Sequence, residues 1–174
     1  MPETDKHVHA YQRMLERVKE TLHHAEEGVE KNLHQAIEAA KLKAVELGEL
    51  TEEEAERIGE FLLRDLSELA EYIAETEEDL AYWLDFELGL IVENVLPVID
   101  ETRLELERLR LEAQEVGRWY TGEITVGGLF RCTKCGEVLR LQGPVRIPPC
   151  PRCHHTVFKR IAPPPHEDII GVPP

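Results

Sequence analysis

Cys132-Thr133-Lys134-Cys135-Gly136 and, after a spacer of fourteen residues from Cys135, Cys150-Pro151-Arg152-Cys153-His154 contain every cysteine of this 174-residue chain. A Cys-x-x-Cys turn bends the backbone so that its two thiolates point the same way. Two such knuckles at this separation read as a tetrahedral four-cysteine metal site, with Cys132, Cys135, Cys150 and Cys153 as ligands and zinc as the default ion. Four thiolates fill a tetrahedral shell and leave no position for water or substrate, so one structural zinc per chain is expected and no catalytic residue is assigned.

The flanks of the knuckles suit a small β-module. Leu129-Phe130-Arg131 leads into the first knuckle and Val138-Leu139-Arg140-Leu141 leads out of it. Gly143-Pro144 marks a turn, Pro148-Pro149 enters the second knuckle, and Thr156-Val157-Phe158-Lys159-Arg160 leaves it. Upstream, residues 118–128 are rich in aromatic, β-branched and glycine residues, which favours short strands and turns. Trp119 and Tyr120 are expected to pack this module against the rest of the chain, with base stacking on nucleic acid as their rival role. A module of 45 residues, 118–162, is too small to be held by its own core, so the metal is needed for folding.

Charge divides by segment along the chain. Residues 1–117 carry 12 Lys/Arg against 31 Asp/Glu, whereas residues 118–162 carry 8 Lys/Arg against 2 Glu. An acidic arm repels phosphate and suits basic protein surfaces, while a basic ribbon suits phosphate. No apolar run reaches the ~18 residues of a membrane span, and the polar start of the chain does not read as a signal peptide. A cytoplasmic protein is expected, where reduced thiols bind metal more often than they pair.

The acidic arm reads as helix. Apolar or small residues recur at Tyr11, Leu15, Val18, Leu22, Ala25 and Val29, and again at Leu33, Ile37, Ala40, Ala44 and Leu47, in steps of three and four. Gly28 is expected to end or bend the first run, and Gly48 to cap the second. Thr51-Glu52-Glu53-Glu54 is a capping box that starts a further helix, lined by Ile58, Leu62, Leu66, Leu69 and Ile73 and widened by Phe61 and Leu63. The stripe lapses at residues 76–79, where a break is expected. It then runs from Leu80 to Val116, with a kink near Pro97, which has no amide proton to donate. Such charged helices must pack on each other or on a second chain. Leu104, Leu106, Leu109 and Leu111 spread over more than one face, which suits a wide core face or a homodimer contact through the helices.

The expected fold class is therefore mainly α: a long antiparallel helical hairpin or small helical bundle with a coiled-coil-like pattern, carrying a small C-terminal β zinc ribbon. The division is 1–117 helical, 118–162 ribbon, and 163–174 a Pro-rich tail.

Three sharper chemistries compete at the cysteines. Cys150-Pro151-Arg152-Cys153-His154 also fits the c-type haem pattern, which needs export and would strand Cys132 and Cys135. A thioredoxin-like redox pair lacks its βαβ context. A helical bundle with two C-terminal knuckles is similar in outline to rubrerythrin, but the di-iron bundle needs two Glu-x-x-His pairs, and Glu20-Thr21-Leu22-His23 stands alone. A single iron on four thiolates stays open.

The whole pattern resembles a bacterial family of zinc-ribbon-containing proteins of unknown function. The likeness rests on Gly48-Glu49-Leu50-Thr51, Arg64-Asp65-Leu66, Tyr120-x-Gly122-Glu123, Gly128-Leu129 and the paired knuckles ending in Phe158-Lys159-Arg160. It implies a cytoplasmic protein with an N-terminal helical region, a structural zinc and no assigned activity. Where glycine is expected after the second knuckle the chain has His154, which bears on the turn geometry and makes His154 a rival to one cysteine ligand.

The function expected is that of a non-enzymatic binding or regulatory protein, engaging a protein or nucleoprotein partner, with nucleic acid reached through the basic ribbon. One alternative looks like DksA-type factors, which bind RNA polymerase through an acidic hairpin tip, here residues 49–54. The other is a rubredoxin- or rubrerythrin-like iron protein.

Overall fold

The computed structural model describes residues 3–24, 33–75 and 117–161, together with Val98, Thr102 and Glu105. Three helices come first: α1 (Glu3–His23), α2 (Leu33–Glu46) and α3 (Glu52–Glu75). Six short strands follow: β1 (Trp119–Tyr120), β2 (Ile124–Thr125), β3 (Gly128–Cys132), β4 (Val138–Leu141), β5 (Val145–Arg146) and β6 (Val157–Ile161). With six strands among the described residues, the expectation of a mainly α chain is amended: the architecture is three N-terminal helices plus a small antiparallel sheet region that carries the cysteines.

Within the described residues the helices bury most of the stripes read from the sequence; Ala25 and Val29, and the side chain of Ile73, lie outside them. Tyr11, Leu15, Val18 and Leu22 of α1 close on Leu33, Ile37, Ala40 and Ala44 of α2 and on Ile58, Leu62 and Leu66 of α3, and all are buried. Burial of each large side chain contributes about 1.5–3 kcal/mol, which is how helices this acidic can fold. Leu47 departs from its stripe and is 54% exposed, because the chain leaves α2 just before it. The amide of Gly48 donates to the carbonyl of Val45 at 2.9 Å, and that of Glu49 to Ala44 at 2.9 Å. These are the paired bonds of a Schellman cap, and Gly48 takes the left-handed φ of +66° that it requires. The capping box forms as read: Glu54 N donates to Thr51 Oγ1 at 3.2 Å, and Thr51 N to Glu54 Oε2 at 2.8 Å.

Of the expected helix from Leu80 to Val116, the described Val98, Thr102 and Glu105 are helical. Val98 joins the helical core. Glu105 reaches the start of α2, accepting from Leu33 N at 2.5 Å and His34 N at 3.1 Å. The first turn of α2 has no acidic residue of its own, so this distant carboxylate supplies the charge that a helix N-terminus favours. The expectations at Gly28, residues 76–79, Pro97, the last leucines and the Pro-rich tail lie outside the described residues.

The strands form two antiparallel sheets, one in the order β1-β6-β3-β4 and a pair β2-β5. Trp119, Phe130, Leu139, Ile147 and Phe158 fill the ribbon's interior beside Cys132 and Cys150. Trp119 meets Phe130 edge-on, with centroids 5.7 Å apart. Trp119 thus packs as expected, whereas Tyr120 turns outward and is 46% exposed. Ile124 and Val126 belong instead to the helical core, so the β2 segment joins the two halves.

Candidate metal centre

The two knuckles are built alike. In the first, Cys132 N donates to Glu137 O at 2.8 Å and Gly136 N to Cys132 O at 3.1 Å. In the second, Cys150 N donates to His155 O at 2.9 Å and His154 N to Cys150 O at 2.8 Å. The residue after each second cysteine adopts a left-handed backbone, φ +75° at Gly136 and +57° at His154. The glycine expected at 154 is thus replaced by a histidine that accepts the same turn, and His154 is exposed and outside the sulfur cluster. His155 Nε2 lies 3.1 Å from Thr133 Oγ1, which ties one knuckle to the other.

These turns, with β3 entering the first knuckle and β6 leaving the second, bring Cys132, Cys135, Cys150 and Cys153 together, their sulfurs all within 4.8 Å of one another. Cys132 and Cys153 are 3.6 Å apart, as are Cys135 and Cys150. A disulfide needs about 2.05 Å. A tetrahedron with zinc–sulfur arms of about 2.3 Å has edges near 3.8 Å, which these separations approach. The amides of Cys135 and Lys134 donate to Cys132 Sγ. Burial opposes that thiolate, but these amides and the neighbouring sulfurs outweigh it and lower the Cys132 pKa to about 7. The Glu137 amide favours a Cys135 thiolate, yet burial and the surrounding sulfurs push that group up to about 12. Four negative sulfurs at this spacing need a cation among them, and the all-thiolate donor set fits zinc. All four sequence-assigned ligands meet at one point; a bound ion would hold the knuckles together and stabilise the ribbon.

A second cluster, missed in the sequence, fastens the ribbon to α3. Asp65 is fully buried and both its oxygens are engaged. Oδ2 accepts from Tyr11 Oη at 2.5 Å and Val126 N at 2.9 Å. Oδ1 accepts from Thr125 Oγ1 at 2.8 Å and from the guanidinium of Arg160, which also donates to Thr125 Oγ1 at 2.6 Å. One helical turn on, Glu68 accepts from Trp119 Nε1 at 2.8 Å and faces Arg160 Nε at 3.4 Å. Burial raises the Glu68 pKa against the pull of Arg160. Burial, reinforced by the Asp65 charge, also raises Tyr11 and keeps its hydroxyl a donor. Arg64 covers Trp119, 3.8 Å from the ring centroid, and pairs with Glu123 at 2.7 Å. The available signal was Asp65 itself, which falls seven residues after Ile58 on the buried stripe of α3, where a carboxylate needs partners.

A family model for a zinc-ribbon containing domain matches residues 20–162. The match spans most of the chain, helices and ribbon alike, and the chain belongs to that family. Comparisons with curated proteins and with solved structures returned no match. The centre is accordingly that of a zinc ribbon, with one structural zinc held by the four cysteines. No described helix is long and apolar enough to cross a membrane.

Proposed function

We propose that this is a non-enzymatic, cytoplasmic binding protein in which zinc holds the ribbon's shape and the ribbon is presented on an acidic helical body to a protein or nucleoprotein partner. The closed four-thiolate shell carries this reading: a site with no open coordination position supports structure and not turnover. The charge division supports a surface role, since an acidic body and a basic ribbon select partners by sign. Affinity capture from native cells tests it. The wild type is expected to retain a partner that Cys150→Ser, with its ribbon unfolded, does not. Identical capture by both proteins would contradict the reading, as would thiolate-bound iron with visible colour in the purified protein.

The likeness to DksA-type factors is constrained by the turn from α2 to α3. Glu49 is bound by Arg17 at 2.8 Å and Arg13 at 3.1 Å, and Glu54 by His7 at 2.7 Å, so the α1 side chains occupy two carboxylates of the expected tip. Glu52, Glu53, Glu56 and Glu60 stay exposed along α3 beside Arg57, lining a shallow, open concavity. A polymerase contact of that kind would use these residues, and Glu52→Lys with Glu53→Lys is the charge reversal that tests it. Capture of core polymerase that survives the reversal would exclude this contact.

A further inference from the structure

The cross-strand register sorts the four-stranded sheet into two faces. Trp119, Phe130, Leu139 and Phe158 point inward. On the opposite face Tyr120 stands beside Val157, and Arg131 stands beside both Lys159 and Val138. Tyr120 and Val138 are 46% and 43% exposed, and Arg131 and Lys159 are exposed too.

Two cations in direct cross-strand register repel each other, an arrangement that costs stability. The ribbon does not neutralise them. Its carboxylates are Glu123 and Glu137, and both are engaged elsewhere. Glu123 binds Arg64 and the Tyr120 amide, and Glu137 lies 3.8 Å from Arg152. Among the described residues neither Arg131 nor Lys159 has an ion-pair partner. Lys134, two residues beyond β3, and Arg118, just before β1, add exposed positive charge at the ends of the same strands.

Resting on the reading of the protein as a binder with a structural zinc, we propose that the outer face of this sheet binds single-stranded nucleic acid. Arg131 and Lys159 take phosphates and Tyr120 stacks on a base. A phosphate placed between the two cations removes the repulsion that the described residues leave between them. A flat sheet offering an exposed aromatic ring meets unstacked bases, which a duplex does not present. Four strands at roughly 4.8 Å spacing make a face only about 15 Å across, and with Leu129 on that face buried, the open part around Tyr120, Lys159, Arg131 and Val138 suits a short stretch of strand.

The test titrates full-length, zinc-loaded protein into a labelled single strand of about 12 nucleotides, RNA and DNA in turn, by fluorescence anisotropy at ~50 and ~200 mM salt. Wild type is expected to bind at low salt and weaken steeply as salt rises. Arg131→Gln with Lys159→Gln should bind at least ~10-fold more weakly and lower the salt slope by about 1.4, the share of two phosphate contacts. Tyr120→Ala should weaken binding ~10-fold and leave the slope unchanged, because stacking releases no counterions. Unaltered circular dichroism and zinc content would show that these variants fold. No binding at low salt, tighter binding to duplex, or affinities untouched by these substitutions would overturn the proposal. So would self-association of the protein alone that Arg131→Gln with Lys159→Gln abolishes, since the face would then serve the acidic helices of a second copy. None of these outcomes bears on the metal, whose identity is read separately by elemental analysis.

Discussion

The helical body and the ribbon solve the same stability problem with different means. The helices bury whole side-chain stripes in a core that runs from Ala10 to Val126 and includes Tyr11, Met14, Leu62 and Leu66. The ribbon's interior is a handful of side chains, Trp119, Phe130, Leu139, Ile147 and Phe158, packed against its own metal ligands. The first can stand on burial; the second cannot, so its fold depends on an ion. The contrast extends to charge, acidic on the body and basic on the ribbon, and the Asp65–Arg160 pair is where the two signs are spent on each other.

The two regions should part most clearly on metal removal. Chelation of zinc, or Cys150→Ser, is expected to abolish the ribbon's fold while the helices persist, because structural zinc contributes ~10–16 kcal/mol in small zinc domains. Far-UV circular dichroism should then keep most of its helical signal while the near-UV signal of buried Trp119 collapses. Equal loss of both would mean that the helices depend on the ribbon.

Next in size is the junction. Asp65→Ala leaves the Arg160 guanidinium buried without its main partner and should cost about 3–5 kcal/mol, measured by denaturant unfolding. Asp65→Ala with Arg160→Met should recover only the part of that loss due to the unpaired guanidinium, since Tyr11 Oη, Thr125 Oγ1 and the Val126 amide still lack their acceptor and Glu68 loses Arg160.

Smaller effects come from the capping box. Thr51→Ala should cost about 1 kcal/mol. Glu54 is held down to about 2, first by the Thr51 amide and then by His7. A carboxylate depressed in the folded state stabilises it fully above its ordinary value of 4.5, and that contribution is lost as pH falls from 4.5 towards 2. Glu49, lowered chiefly by its bond to Arg17, acts in the same direction. Glu54→Gln should therefore flatten stability against pH across this window.

The smallest effect is at the second knuckle. His154→Gly relieves a left-handed histidine and should be neutral or stabilising by under about 1 kcal/mol, whereas His154→Val should destabilise by more. Thermal melts of the zinc-loaded variants would show it.

What the sequence disclosed was local. Knuckle spacing, the Schellman glycine at 48, the box at Thr51 and Glu54, and most of the described part of the α1 to α3 stripes are set by short-range pattern, and these are found in the structure. What it concealed was distant. Asp65 and Arg160 lie 95 residues apart, Glu105 and Leu33 lie 72 apart, and no periodicity links either pair. The outward turn of Tyr120 was hidden too, because two aromatics in sequence look alike until β1 pairs with β6 and sends one to each face. Leu47 misled for the opposite reason: it kept the helical spacing, but Gly48 had already ended the helix.

Elemental analysis of the native protein, with its visible spectrum, tests most directly that four sulfurs hold one structural ion. One zinc per chain and a colourless solution is the expected result, with zinc lost from Cys150→Ser. Iron and colour, or a wild-type ribbon folded without any metal, would contradict it.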